Sequence, residues 1–300
     1  MKQIAAALRT SIGAFAGLSA MVLASAAFAG PAPPPQDRDV ARIVSLGGSC
    51  NRCELSGRNL SGATFSGATF VSATLIGANL RGAELIGSNF SSSDFSRADM
   101  RGVEINGANF TGSIFVDASL IGAEASGAVF SRTNLSRANL SGAELVGVNM
   151  TGAIMVDANL TGAELFGANL TRVVARNATF NGAELQAANM TGSDFSGANF
   201  TGAELDNARL TGGTFDRANF TEASLRRVDI RGVDLSRARG LTQDQVEEAC
   251  ADGGTRLPAG LQPGSCRGRT MMTPPPHPPA PPAPPAPMAP RQRHLVMAGD

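Results

Sequence analysis

Large apolar side chains recur at every fifth position of this chain, from Leu55 to Leu235. There are 37 such positions without an insertion or a deletion, and a small residue stands two positions before nearly every one. Only Ala125 and Ala175 depart from the rule by their size. A period of five fits neither an α-helix, with about 3.6 residues per turn, nor a β-strand, with an alternation of about 2.

The two apolar positions of each unit lie two apart in sequence, so both side chains of an extended segment point inward. The residues between successive pairs turn the chain through a corner, where glycine recurs. Four corners close a square coil, and stacked coils lie about 4.8 Å apart, as neighbouring strands do. A second period supports a coil of four repeats, because a glutamate precedes the apolar centre in every fourth repeat, seven times in succession. These residues are Glu84, Glu104, Glu124, Glu144, Glu164, Glu184 and Glu204.

The pattern A-x-[L/F]-x-x, with Asn or Asp often before the centre, resembles the pentapeptide-repeat family; SRANLSGAEL and SGANFTGAEL are examples. The resemblance implies an all-β fold, a right-handed quadrilateral parallel β-helix of about nine coils over residues 49–240. The motif is specific for this fold. It is not specific for function, because the family includes DNA mimics, effector appendages and many proteins of unknown role.

The chain outside the repeats predicts export. Residues 1–29 have a positive start at Lys2 and Arg9, an apolar run and a small-x-small motif, so we expect a signal peptide cleaved after Ala29 and a periplasmic or secreted protein. The alternative is an uncleaved anchor, but the run is shorter than the roughly 20 residues of a membrane span. Residues 30–48 form a Pro-rich linker and lead-in, and residues 268–300 a disordered Pro-rich tail, for which a ligand of an aromatic groove is the alternative.

Residues 241–267 are expected to cap the C-terminal end of the solenoid. Thr242 fits the N-cap and Gln245 the capping-box position of a short helix that runs to about Ala251. This arrangement resembles the terminal cap of many pentapeptide-repeat proteins.

Four cysteines in an exported chain predict disulfides. Nine coils would separate Cys50 and Cys53 from Cys250 and Cys266 by about 43 Å, so the four cannot share one metal ion. We predict the pairs Cys50–Cys53 and Cys250–Cys266. Half a zinc site or a redox pair at Cys50 and Cys53 is the alternative.

Charge and composition argue against an enzyme. Residues 50–240 contain 16 arginines and 18 carboxylates, which gives no electrostatic reason to expect nucleic acid or an anionic membrane as partner. The only lysine is Lys2 and the only histidines are His277 and His294. Schiff-base chemistry and Walker-type phosphate binding both need a lysine, and the chain without its signal peptide contains none. No cofactor and no metal site are predicted.

Candidate sites lie on the outer surface, in columns formed by coil stacking. The seven glutamates would form an acidic column that could bind a basic partner or a divalent cation; a solvated surface repeated by duplication is the alternative. Val146 and Phe166 would form an apolar spot beside it, and Arg81 and Arg101 would partly neutralise its start. A second column, Arg97, Asp117, Arg137 and Asp157, alternates in sign, and TGSIFVDASL returns eight repeats later as TGAIMVDANL.

The sequence therefore favours an exported, non-enzymatic scaffold that binds an unidentified protein; the oligomeric state is open. One alternative is a DNA-mimicking inhibitor of DNA gyrase, which would need a cytoplasmic location and a strongly acidic surface. The other is divalent-cation binding along the glutamates.

Overall fold

The structure of the chain is a computed structural model that describes residues 48–264. The predicted signal peptide, most of the lead-in, the Pro-rich tail and Cys266 lie outside the described residues. Within the described part, no helix is long and apolar enough to span a membrane.

Each pentapeptide forms one side of a four-sided coil. Parallel backbone bridges join each residue before a centre to its equivalent four repeats later, from Ser49↔Thr69 to Asn219↔Arg239. The backbone N–H of Leu145, for example, donates to the carbonyl of Glu164 at 2.7 Å. Each side pairs through one such bridge per coil, without a longer strand in residues 48–264. The fold is the predicted right-handed quadrilateral parallel β-helix.

Nearly every corner of residues 50–240 is a tight turn closed by a backbone hydrogen bond. The N–H of Ala143 donates to the carbonyl of Leu140 at 3.1 Å, and the intervening Gly142 has a φ of 61°. This left-handed conformation costs an L-residue about 1–2 kcal/mol, which explains why glycine recurs at the third turn position. Some corners carry another residue there, including Arg137 with a φ of 57°. These side chains project outward from the corners.

The centres of the repeats form one continuous core. Every centre from Leu55 to Leu235 is at most 3% exposed. Phenylalanines on one side stack coil upon coil, with ring centroids 4.6 Å apart for Phe70–Phe90 and 5.1 Å apart for Phe110–Phe130. Ala125 is also fully buried. The interior therefore accepts apolar residues of very different size at the same position of the repeat.

A short helix, α1, spans Gln243–Glu248 at the C-terminal end. Thr242 is its N-cap and forms a capping box with Gln245, as the sequence predicts. The helix ends before the predicted Ala251, because Cys250 pairs with Asp229 of the last coil and returns the backbone to the sheet.

The same helix provides hydrogen-bond donors for carbonyl groups at the open end of the solenoid. The side-chain amide of Gln245 donates to the carbonyls of Phe220 and Ala223 at 2.9 and 2.7 Å. The carbonyl of Ala223 lies on the last coil, where the next coil of the solenoid would otherwise supply the donor, while the carbonyl of Phe220 also accepts the turn hydrogen bond from Ala223. Gln245 therefore caps the helix and the β-helix together.

Disulfide-bonded cysteines lie at both ends of the solenoid. Cys50 and Cys53 form the predicted disulfide in the first coil, with Cα atoms 5.4 Å apart. Cys250 is also disulfide-bonded. Its predicted partner, Cys266, lies outside the described residues.

Candidate functional site

The seven glutamates lie in one column on one side of the coil, which we call the Glu side. Consecutive members bridge to one another, from Glu84↔Glu104 to Glu184↔Glu204. Because each bridge joins neighbouring coils, the carboxylates repeat at intervals of about 4.8 Å. Thr64 and Ser224 continue the column at its two ends, so the acidic part covers seven successive coils.

The carboxylates point away from the core. Six of them are exposed, and Glu104 is half-buried. The Ser126 hydroxyl donates to Oε1 of Glu144 at 2.6 Å, and the Gln186 amide donates to Oε2 of Glu204 at the same distance. These donors are neutral, so they orient the carboxylates without removing their charge.

The predicted neutralisation at the start of the column does not occur through Arg101. Its guanidinium pairs with Asp99, with Nε 2.7 Å from Oδ1, and this hydrogen bond lowers the pKa of Asp99. Asp99 lies two residues earlier on the preceding side, and Arg81 lies close enough to lower its pKa further. Within residues 48–264, no arginine forms an ion pair with a member of the Glu column.

An apolar spot lies beside the column, as the sequence predicts. The Phe166 side chain is 45% exposed, the largest value among the exposed large apolar residues of the described chain. Val146 lies one coil earlier in the same column and is half-buried. The N–H of Gly147 donates to the carbonyl of Phe166 at 2.9 Å, which fixes the two coils in register. Val146 and Phe166 stand two positions after Glu144 and Glu164 in the sequence, so the apolar spot lies next to the middle of the Glu column.

The side of the coil opposite to the Glu side carries apolar residues that the sequence pattern did not single out. Ile114 and Ile154 are 39% and 42% exposed, and bridges join Ile114 to Asn134, Asn134 to Ile154, and Ile154 to Val174. We call this surface the alternating side. The sequence indicates these isoleucines by the similarity of TGSIFVDASL to TGAIMVDANL eight repeats later, because this similarity places an isoleucine on the same side two coils apart.

The column of alternating charge forms one corner of that side. Asp117 accepts two hydrogen bonds from Arg137, at 2.7 and 2.8 Å, which lower the pKa of Asp117. Asp157 accepts a hydrogen bond from the Asn177 amide at 3.2 Å. The predicted pairing between coils is thus present for Asp117 and Arg137.

Among the carboxylates of residues 48–264, one is buried, at the junction with the C-terminal cap. Asp229 is 3% exposed and accepts hydrogen bonds from Arg231 Nε and Nη2 at 2.9 and 2.8 Å. Burial raises the pKa of Asp229, but the hydrogen bonds and charge of Arg231, helped by the charge of Arg209, outweigh it and leave the pKa lowered. Residues 48–264 contain no cluster of three or more His, Cys, Asp or Glu placed to hold a metal ion.

The solved structures that match this chain include pentapeptide repeat proteins and a fluoroquinolone resistance protein. HetL, a pentapeptide repeat protein involved in heterocyst differentiation regulation from the cyanobacterium Nostoc, is 27% identical over 70% of this chain and 91% of that chain, with a TM-score of 0.49. QnrB1, a plasmid-mediated fluoroquinolone resistance protein, is 19% identical over 71% of this chain and 92% of that chain, with a TM-score of 0.40. A pentapeptide repeat protein from the Arabidopsis thaliana thylakoid lumen is 24% identical over 55% and 72%, with a TM-score of 0.19.

The sequence itself matches the family model for pentapeptide repeats in eight copies. The matched residues are 49–85, 78–115, 113–152, 153–192, 180–216 and 203–239. No curated protein matches the sequence. Because the family model spans nearly the whole solenoid and more than half of the chain, the protein belongs to the pentapeptide-repeat family.

Proposed function

We propose that this protein is an exported, non-enzymatic scaffold whose Glu side binds a partner protein. The observation that carries the proposal is the unbroken column of seven carboxylates next to the exposed Phe166 ring. The partner that fits this surface presents lysines or arginines in a row beside an apolar pocket.

Electrostatics favours a cationic partner. Two carboxylates about 4.8 Å apart repel each other by about 0.8 kcal/mol even in water, and the repulsion recurs at every coil of the column. Basic side chains bound between the carboxylates would replace repulsion by attraction. Their contribution would fall as salt is added, because exposed charges are screened over about 8 Å at physiological ionic strength.

Rigidity and an aromatic anchor add to the fit. Backbone hydrogen bonds hold the coils in register, as that between Gly147 and Phe166 does, so binding would order little of this surface. Phe166 is the kind of side chain that dominates binding energy when it fills a partner's pocket. Charge on the column would then orient the partner along the solenoid.

DNA mimicry fits the same column less well. Duplex DNA carries one negative charge per about 1.7 Å of its axis, whereas the Glu column carries one per about 4.8 Å. The column directly after the centres carries neutral side chains over Asn106, Ser126, Val146 and Phe166, so it adds no second line of acid there.

A capture experiment from cell-envelope extract tests the proposal. Immobilised wild type is compared with Phe166→Ala, with the double variant Glu144→Gln, Glu164→Gln, and with Ile154→Ala on the opposite side as matched control. We expect one protein to be retained by the wild type and the control, lost with the other two variants, and eluted by salt. Equal retention by all four would contradict the proposal.

Two further measurements address the alternatives. Calcium titration calorimetry that gives heat with the wild type and less heat with the double glutamine variant would assign the column to cations instead. Inhibition of DNA gyrase supercoiling, lost in the same variant, would assign it to DNA mimicry. Fractionation of cells that make the full-length chain tests export, and retention of the uncleaved chain in the cytoplasm would contradict it.

A further inference from the structure

The alternating side has a pattern that complements itself. Along the solenoid, coils with apolar residues and an acidic corner alternate with coils that carry arginine. The first kind includes Gly112, Ile114, Val116 and Asp117, and again Gly152, Ile154, Val156 and Asp157. The second includes Arg132, Asn134, Ser136 and Arg137, and then Arg172, Val174, Arg176 and Asn177. The pattern repeats every two coils, or about 9.6 Å.

We infer that this side binds a second copy of the chain in antiparallel orientation. The two-fold axis lies across the side, midway between the coil of Asn134 and the coil of Ile154. This rotation keeps each corner opposite the same corner of the second copy and reverses the order of the coils. It is an isologous contact, in which every pair of facing residues occurs twice.

Charge complementarity carries the inference. The rotation places Arg137 opposite the second copy's Asp157, once on each side of the axis. Arg137 uses Nε and Nη2 for Asp117 of its own chain. A guanidinium has five N–H donors, so donors remain for a second carboxylate. Arg137 would bridge one aspartate in each copy.

Size complementarity follows the same register at the other corner. Arg132 lies opposite the second copy's Gly152, and Arg172 lies opposite the second copy's Gly112. Both arginines are exposed, and both glycines lack a side chain that would oppose them. In the centre of the side, Ile114 lies opposite the second copy's Val174 and Ile154 lies opposite the second copy's Asn134, so the isoleucines are covered between the two charged corners.

The contact is confined to the four central coils. One coil further out, Asp94 would lie opposite the second copy's Asp194, although Arg176 of the same chain lies 3.7 Å from Asp194 and reduces its charge. A parallel arrangement fits worse, because it would place Arg137 opposite the second copy's Arg132. The axis also passes near the middle of residues 49–240, so the ends of the two solenoids align and both Glu sides face outward.

Sedimentation equilibrium of the full chain tests the self-association. We expect a concentration-dependent dimer in the wild type and in Phe166→Arg, the matched control on the Glu side. Ile154→Arg places a charge next to the axis, opposite the second copy's Asn134 and between that copy's Arg132 and Arg137, and should raise the dimer dissociation constant at least about tenfold. Circular dichroism verifies that both variants fold. A wild type that stays monomeric, or a folded Ile154→Arg that dimerises like the wild type, would overturn the inference.

Charge exchange tests the register. Asp157→Arg puts two arginines opposite each other and should weaken the dimer about tenfold or more. Adding Arg137→Asp to this variant restores opposite charges across the axis and should recover most of the affinity. A folded double variant that dimerises no better than Asp157→Arg would overturn the antiparallel register.

Discussion

The Glu side and the alternating side are built on the same backbone and the same core, yet their charges repeat differently. On the Glu side, one acidic residue returns in every fourth repeat, so every coil presents the same charge. On the alternating side, Asp117, Arg137 and Asp157 change sign from coil to coil, so the same charge returns only after two coils. The period of the charge determines which partner each side can accept.

A uniform column cannot meet a copy of itself, because any rotation places glutamate opposite glutamate. Such a side requires a partner of opposite charge. An alternating column becomes self-complementary when it is reversed and shifted by one coil. A solenoid can therefore bind different partners on opposite sides without any change of fold.

The largest expected effect tests whether the two sides share one core. Leu145 lies behind the Glu side and Leu135 behind the alternating side, and both are at most 1% exposed. Replacing either by alanine should cost about 2–5 kcal/mol of unfolding free energy, because each change leaves a cavity between stacked coils. Urea denaturation measures both. A small effect at only one of the two positions would show that the sides do not share one core.

A smaller effect separates the two sides by pH. The hydrogen bonds from Arg137 hold the pKa of Asp117 below its unfolded value, so their stabilisation is present above that value and is lost as pH falls through the folded pKa. The melting temperature of the wild type should therefore drop below about pH 4 by more than that of Asp117→Asn. Thermal unfolding between neutral and acidic pH measures the difference. Parallel curves for the two proteins would mean that the ion pair contributes nothing.

The smallest effect belongs to the Glu side. Glu144→Gln removes one repelling charge and keeps an oxygen that can accept the Ser126 hydroxyl, so stability should be unchanged or slightly higher. Any gain should disappear at high salt, because screening removes the repulsion from the wild type as well. Thermal melts at low and high salt check this. Strong destabilisation would show that Glu144 supports the fold and is not a free surface group.

The repeat length alone predicts which residues form each surface column, but it does not predict the contacts that those residues make. A constant repeat without insertions fixes which residues share a side, and so it located the Glu column, the pair Val146 and Phe166, and the charge alternation. The partner of Arg101 depends on the turn after Asp99, which brings that aspartate closer to the guanidinium than any glutamate. The end of helix α1 depends on the backbone pairing of Cys250 with Asp229, which the sequence around the helix does not predict.

The apolar residues of the alternating side could have been predicted. Ile114 and Ile154 occupy the position before the centre, which the repeat places outward, and the echo after eight repeats joins them on one side. The same position carries Asn, Asp or Glu in most other repeats.

Photo-crosslinking in living cells tests most directly whether the two sides have different partners. A photoreactive phenylalanine analogue is placed at position 166 on the Glu side or at position 154 on the alternating side of the full chain. We predict that position 154 yields a crosslinked homodimer, and that position 166 yields an adduct with a different protein that disappears when Glu144 and Glu164 are changed to glutamine. Homodimers from position 166 with none from position 154, or an adduct at 166 that is indifferent to the glutamates, would contradict the account.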